Sequence, residues 1–190
     1  MELKKLNLNV YNGHQWNKSK SCLDFVKLQN MREIKIYFDQ YQKFELKNIK
    51  PLLGICGLYF ILLENTEIQY PFKKSRLVYI GMSEMKTNSI GKRLSDHYDG
   101  ISGNMGLINY RAVKGLYFTY LNFEMLKNMW EHSIEDLESY FILDFVEKYG
   151  VYPICNNKTR FDVQERNISL KLLIDWKYFE NNEAHDDFKD

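Results

Sequence analysis

The chain contains little cysteine and no long uninterrupted apolar run. Its three cysteines are odd in number and widely spaced, and none forms a Cys-x-x-Cys pair, so neither a zinc site nor a disulfide framework is indicated. Unpaired thiols favour a reducing, cytoplasmic location. No stretch of about 18 uncharged apolar residues occurs, so no helical membrane span is expected. The polar N-terminal residues also lack the apolar segment of a signal peptide.

A strong net charge is absent as well, because the 26 basic and 25 acidic residues nearly cancel. The charges are unevenly distributed, however, since residues 178–190 hold five acids and one base. The rest of the chain keeps 25 basic and 20 acidic residues. Such a modest positive excess is compatible with a polyanionic partner such as nucleic acid but does not require one.

The two ends of the chain are predicted to be additions to a central domain. Apolar residues recur at helical spacing from Leu23 to Phe44, which predicts an N-terminal arm and helical extension in residues 1–50. This apolar stripe would either pack on the central domain as core or supply a dimer contact. Residues 161–190 are expected to contain a helix over Leu170–Phe179 and an acidic tail.

Residues 51–160 combine strand and helix patterns. Three segments have the apolar patterns of strands: Gly54–Leu63, Arg76–Ser83 and Lys114–Phe123. Two segments have the patterns of helices that begin after a capping serine: Ile90–Tyr98 and Ser133–Tyr149. The resulting order β-β-α-β-α predicts an α+β fold with a small three-stranded antiparallel sheet flanked by helices.

Glu138 occupies an unexpected position in the second predicted helix. Its neighbours at helical spacing are all apolar: Ile134, Phe141, Ile142 and Phe145. A carboxylate on a buried face is costly unless it is paired or bound to a metal. Two interpretations therefore stand. Glu138 is a structural charge at the rim of the core, for example paired with an arginine, or it is a ligand of Mg²⁺, which prefers carboxylate oxygen.

Arg93 and His97 are four residues apart on the first predicted helix, so both side chains lie on the same face. The planar, permanently charged guanidinium of an arginine suits a phosphate. A histidine beside it can donate or accept a proton near neutral pH. Taken alone, however, a basic helix face is most often an ordinary solvated surface.

Two tyrosines lie in the first two predicted strands, in the triplets Gly-Leu-Tyr 57–59 and Tyr-Ile-Gly 79–81. One Gly-x-Tyr triplet carries little information among 14 tyrosines, since the pattern recurs twice later in the chain. Tyrosines in strands are usually core residues. Only the first triplet is followed by a Tyr-Ile-Gly strand, which selects Tyr59 over Tyr117.

Together these residues resemble the GIY-YIG nuclease family over roughly residues 54–160. The family combines a Gly-Ile/Leu-Tyr strand, a paired Tyr-Ile-Gly strand, an arginine often followed by a histidine, a metal-binding glutamate and a final asparagine. The matching residues are Tyr59, Tyr79, Arg93, His97, Glu138 and Asn156. The spacing after Tyr79 is longer than in compact members, which leaves Lys92 as a competitor of Arg93. Asn157 competes with Asn156 in the same way.

The resemblance implies a metal-dependent endonuclease that hydrolyses double-stranded DNA. Glu138 would bind Mg²⁺ or Mn²⁺, Tyr59 would act on the attacking water with help from His97, and Arg93 would stabilise the transition state. Tyr79 would position the phosphate, and Asn156 would brace the site. Six cations are expected to contact DNA: Lys73, Lys74, Arg76, Lys92, Lys158 and Arg160.

The short extensions favour a compact restriction-type enzyme over a homing or repair nuclease. Because one site cuts one strand per encounter, double-strand cleavage implies a homodimer on DNA. A catalytically inactive nucleic-acid-binding domain of the same fold is an alternative. A structural or interaction protein whose tyrosines are only core is another.

Overall fold

The computed structural model describes residues 32–156 and 170–180. Within them, helices and sheets are interspersed along the chain, so the α+β class predicted from the sequence is confirmed. No helix in these two ranges combines the length and apolar character needed to cross a bilayer.

The larger sheet contains four antiparallel strands in the order β2-β7-β3-β6. Their bounds are Gln42–Lys43 (β2), Gly57–Leu63 (β3), Leu77–Ser83 (β6) and Leu116–Asn122 (β7). The sheet was predicted to have three strands and has four. Its three long strands lie in the segments predicted from the sequence, and the two-residue β2 adds an edge. All seven residues of β3 are buried, because it is central and both of its faces are covered.

Two helices begin and end where local sequence signals place them. Helix α2 (Ile90–Tyr98) begins after Ser89, whose hydroxyl accepts a hydrogen bond from the Lys92 backbone N–H. Helix α4 (Ile134–Tyr149) begins with a capping box formed by Ser133 and Asp136. It ends at Gly150, whose φ of 91° is the left-handed conformation that glycine adopts readily.

Two further helices were not predicted. The short α1 (Leu46–Ile49) precedes a 3-10 turn at Lys50–Leu52. Helix α3 (Met105–Val113) begins within the glycine-rich stretch after α2, where the Asn104 side chain accepts a hydrogen bond from the Leu107 N–H. Short 3-10 turns also occur at Lys86–Asn88 and Phe123–Met125.

Helices α2 and α4 cover opposite faces of the larger sheet. Alternate residues of β3 point to the two faces, as in any strand. On the α4 side, Leu58 and Phe60 pack with Phe141 and related residues of α4. On the α2 side, Tyr59 packs with Leu94 and its neighbours. The Tyr59 side chain therefore faces α2, whereas Glu138 is carried by the helix on the other side of the sheet.

The described part of the predicted N-terminal helix is a strand. Strand β1 (Arg32–Ile36) pairs in parallel with β8 (Leu170–Ile174). The helix prediction for Leu23–Phe44 is therefore wrong from residue 32 onward, and residues 23–31 lie outside the described ranges. Ile36 is buried in the main core, with Ile34, Phe38 and Tyr41 packed against it. In this part, the apolar stripe belongs to the core.

The predicted C-terminal helix is also wrong. Leu170–Ile174 is the strand β8, and a 3-10 turn follows at Trp176–Phe179. Burial alternates along β8, with Leu170, Leu172 and Ile174 facing the core. This short run fits a period of two better than a helical period. A small hairpin, β4 (Ile68–Gln69) with β5 (Lys74–Ser75), completes the described fold.

Candidate active site

The phenol of Tyr59 fills a space that exists because residue 81 is glycine. The two residues are cross-strand partners in the β3–β6 pair. A Cβ atom at position 81 would lie 2.5 Å from both Cζ and the hydroxyl oxygen of Tyr59. The glycine of the Tyr-Ile-Gly triplet is thus required by the tyrosine of the other triplet. Gly57, the first residue of β3, has a φ of 146°, a conformation that favours glycine.

Two tyrosines and a histidine meet on the α2 side of the sheet. The Tyr59 hydroxyl and His97 Nε2 are 3.0 Å apart and hydrogen-bonded. The ring centroids of Tyr79 and His97 are 5.0 Å apart, and those of Tyr59 and Tyr79 are 5.9 Å apart. Tyr59 is fully buried, whereas Tyr79 is half-buried. The sequence triplets therefore place both phenols next to the histidine of α2.

Arg93, one helical turn before His97, brings a positive charge to these phenols. Burial raises the pKa of Tyr59 well above its usual value, and the nearby Tyr79 adds to this, while Arg93 partly offsets both. The pKa of Arg93 itself is raised, first by Tyr59 and also by Glu138. Arg93 is thus cationic throughout the pH range in which proteins fold, and it is half-exposed.

Glu138 belongs to the same electrostatic cluster. Its four apolar helix neighbours are all buried, as the sequence pattern predicted. Burial raises the pKa of Tyr79, and the next largest cause is the negative charge of Glu138. The carboxylate also acts on Arg93. Because β6 is an edge strand and α4 packs against it, a half-buried carboxylate of α4 can influence groups on the far side of the strand.

His97 is neutral at physiological pH. Burial, with a further contribution from the Arg93 charge, lowers its pKa to about 4. Only 5% of the residue is exposed. Its second ring nitrogen, Nδ1, is 2.7 Å from the hydroxyl oxygen of Ser102 in the loop between α2 and α3. Both imidazole nitrogens therefore have side-chain hydrogen-bond partners.

Asn156 continues the edge of the sheet beside Tyr79. Its Oδ1 accepts a hydrogen bond from the Ile80 N–H at 3.0 Å, and its Nδ2 donates to the Ile80 carbonyl at 2.7 Å. The Cys155 N–H donates to the Val78 carbonyl at 2.9 Å. This paired contact holds the strand that carries Tyr79. Asn157 lies outside the described residues.

Lys92 and Arg93, the two candidates on α2 for the phosphate contact, have different neighbours. Lys92 is exposed and forms an ion pair with Asp96 on its own helix. Arg93 interacts with the two phenols and Glu138. Arg93 is therefore the cation that the fold brings into the cluster.

The other expected DNA contacts are scattered. Lys73 and Lys74 are exposed in the β4–β5 hairpin, where Lys73 is 3.3 Å from Glu180. Arg76 is only 1% exposed, donates from Nε to the Leu63 carbonyl and lies over the Tyr41 ring. A guanidinium in this position cannot reach a phosphate on a bound duplex. Lys158 and Arg160 lie outside the described residues.

Glu138 is the carboxylate that acts on both Tyr79 and Arg93, and Asp96 of α2 acts on His97. In the described ranges, no group of three or more His, Cys, Asp or Glu side chains could enclose a metal ion. Mg²⁺ dehydrates reluctantly, keeps several waters and commonly binds through one or two carboxylates together with substrate phosphates. Glu138 on its own therefore fits a metal that is completed by water and DNA, and the site does not fit a fully protein-bound metal.

The sequence pattern did not predict two residues of this region, Ser102 and Asn104. They lie in a glycine-rich stretch after the first predicted helix, and nothing local indicates that the serine faces a histidine five residues earlier. Comparison with known protein families, with curated proteins and with solved structures gives no match for this chain. The geometry and chemistry of the cluster are thus the basis for a functional proposal.

Proposed function

We propose that this protein is a metal-dependent DNA endonuclease of the GIY-YIG type, which hydrolyses phosphodiester bonds. One observation carries the proposal. Residues selected by their order in the chain, Tyr59, Arg93 and Glu138, come from three separate elements and interact in one cluster. Residues that matched the GIY-YIG pattern only by chance would not be expected to lie close together in the fold.

The cluster offers the groups that phosphodiester hydrolysis needs. A water must lose a proton, the charge on the phosphoryl oxygens must be neutralised, and the leaving oxygen must be stabilised. Arg93 donates hydrogen bonds to the phosphoryl oxygens and neutralises their developing charge. Glu138 would hold a divalent cation, which would supply Lewis-acid stabilisation of the negative charge that develops in the reaction. Tyr79, at the half-exposed edge, positions the phosphate.

Tyr59 and His97 share the task of removing the water proton. Because its pKa is raised, the buried Tyr59 phenol keeps its proton at neutral pH. His97 is neutral and 3.0 Å away, so it can accept that proton. This step requires substrate binding to uncover the buried Tyr59 oxygen to the attacking water. As the water oxygen bonds to phosphorus, its proton then passes to the Tyr59 oxygen while the Tyr59 proton passes to His97 Nε2. The P–O3′ bond breaks, and the leaving oxygen takes a proton from solvent.

We further propose a restriction-type role on double-stranded DNA, with two copies of the chain acting as a homodimer. One cluster holds one set of catalytic groups and cuts one strand, so two are needed for a double-strand break. The alternative is a DNA-binding domain without activity. One observation favours it: the interaction of Glu138 with Arg93 is also what a purely structural ion pair would produce.

Incubation with defined duplexes in Mg²⁺, followed by sequencing of the product ends, tests the proposal. We expect discrete ends that carry 5′ phosphates and 3′ hydroxyls, because the 3′ oxygen leaves. Titration of the protein with Mn²⁺ distinguishes the nuclease from the inactive DNA-binding domain. A domain whose Glu138 only pairs with Arg93 need not bind the ion. Intact duplexes in both metals, at protein concentrations that saturate binding, would refute the nuclease.

A further inference from the structure

The Ser102 hydroxyl completes a chain of hydrogen bonds that leads to the buried Tyr59. Ser102 Oγ is 2.7 Å from His97 Nδ1, and His97 Nε2 is 3.0 Å from the Tyr59 hydroxyl. A neutral imidazole carries its single proton on one nitrogen and accepts at the other. The partner at Nδ1 therefore decides what Nε2 can do.

The surroundings of Tyr59 are compatible with one direction of these bonds. Arg93 has only donors and acts on the Tyr59 oxygen, and Tyr79 is a further hydrogen-bonding neighbour of the same hydroxyl. The protonated phenol has one hydrogen to donate, and His97 Nε2 is 3.0 Å away. Nε2 accepts this hydrogen when the imidazole carries its own hydrogen on Nδ1 and donates it to Ser102 Oγ, 2.7 Å away.

The backbone fixes the position of Ser102. The Asn104 N–H donates to Ser102 Oγ at 3.4 Å, which leaves this oxygen a second lone pair for His97. The buried Asn104 side chain donates to the Cys155 carbonyl at 2.9 Å and caps α3. The loop is thus joined to the segment in which Asn156 braces β6. Ser102 itself is exposed, so changing its side chain disturbs no core packing.

We propose that Ser102 is a positioning residue, which holds His97 as the Nδ1–H tautomer and so leaves Nε2 free to accept the Tyr59 proton. The inference rests on the proposed nuclease function. Ser102 also serves the protonated form of His97. When His97 becomes an imidazolium, both ring nitrogens are donors, and Ser102 Oγ still accepts the hydrogen bond from Nδ1. Ser102 touches neither water nor phosphate in this scheme and acts only through His97.

Two measurements on the full-length protein test the assignment. Long-range ¹H–¹⁵N NMR of the imidazole reports which nitrogen of His97 carries the proton, with no need for catalysis. We expect the Nδ1–H form in the wild type and in Ser102→Thr, which keeps a hydroxyl. Ser102→Ala should shift His97 toward the Nε2–H form. A wild-type His97 that is mainly Nε2–H would overturn the proposal.

Cleavage kinetics give the second readout. Ser102→Ala should lower kcat by roughly tenfold to a hundredfold with little change in KM, as loss of an orienting partner does elsewhere, and Ser102→Thr should restore most of it. Ser95→Ala is the matched control, because the Ser95 hydroxyl bonds only to the Gly91 carbonyl of its own helix. Wild-type kcat in Ser102→Ala, or an equal loss in Ser95→Ala, would contradict the assignment. If the wild type does not cleave DNA, the nuclease proposal is refuted. The tautomer of His97 can still be measured by NMR in that case, so the two proposals can fail separately.

Discussion

The space around Tyr59 depends on a missing side chain at position 81. We predict that Gly81→Ala destabilises the fold by about 1–3 kcal/mol, because the new Cβ overlaps the Tyr59 ring in a packed interior. Denaturant unfolding measures this loss. Gly115→Ala is the control, since a Cβ there meets the end of the flexible Glu64 side chain. Equal losses in the two variants would show that the Gly81–Tyr59 contact is not tight.

Arg93 and its neighbour Lys92 allow a matched comparison on one helix. We predict that Arg93→Ala lowers kcat by about a hundredfold or more, because it removes a donor that acts on the transition state. Binding of DNA should change far less. Lys92→Ala should be much milder, since Lys92 pairs with Asp96. Single-turnover cleavage and DNA binding, measured for both variants, test this prediction. A larger loss of kcat in Lys92→Ala than in Arg93→Ala would assign transition-state stabilisation to Lys92.

The buried His97 links stability to pH. Its pKa is about 4 in the folded protein, against the usual 6.5 that applies to the unfolded chain. As pH falls, the unfolded chain therefore takes up this proton before the folded protein does. The free energy of unfolding should therefore decrease between pH 6.5 and about 4, by up to ~3 kcal/mol from this group. Arg93 and the phenols of Tyr59 and Tyr79 keep their charge states over this window.

His97→Gln provides the control for that titration. The variant has its own stability offset, but it lacks the ionisable group. The difference in unfolding free energy between the two proteins should shrink as pH falls through the window, as measured by urea titration at each pH. A constant difference from pH 7 to pH 4 would mean that His97 is not held in its neutral form by the fold.

Among the secondary-structure elements, those with local signals were predictable. Helix α4 carries its start in a capping box and its end in a glycine with positive φ, so its bounds follow from a few neighbouring residues. Strands β3 and β6 are continuous apolar runs. Strands β1 and β8 differ, because each is stabilised by a partner at the opposite end of the described chain. Their short apolar patterns fit both a helix and a strand until that pairing is known.

The candidate site follows the same rule. Its residues were chosen by type, order and helix spacing, and the fold brings Tyr59, Tyr79, Arg93 and His97 together. Ser102 was not found, because its contact with His97 depends on the path of a loop. Arg76 was expected to contact DNA as one of six cations. It is buried instead, with its guanidinium over an aromatic ring and its Nε bonded to the backbone.

Asn156 takes the place of a neighbouring strand, because its side chain bonds to the backbone of the edge strand β6. We predict that Asn156→Ala destabilises the protein by about 1–3 kcal/mol, since it leaves the buried Ile80 N–H and carbonyl without these partners. Hydrogen exchange at the Ile80 amide should accelerate in parallel. The control Asn48→Ala removes an exposed bond to the Lys43 carbonyl and should stay within ~0.5 kcal/mol. Unchanged exchange at Ile80 would refute the bracing role.

In the whole molecule, the proposed site combines layers from the two sides of one sheet. Helix α2 contributes the cation and the histidine from one face, and α4 contributes the carboxylate from the other. The edge strand β6 lies between them and presents Tyr79. Such a site depends on the complete fold, because neither helix alone carries the set of groups that hydrolysis requires.

Under the proposed function, this cluster cuts DNA through the Glu138 carboxylate. Supercoiled plasmid in Mg²⁺ tests it directly, with Glu138→Gln as the variant. Glu147→Gln serves as control because Glu147 is also half-buried on α4 but lies near Asp144 and Lys148. We predict that the wild type and Glu147→Gln cut the plasmid, whereas Glu138→Gln binds DNA without cutting it. Cleavage by Glu138→Gln at the wild-type rate would show that the reaction does not need the Glu138 carboxylate.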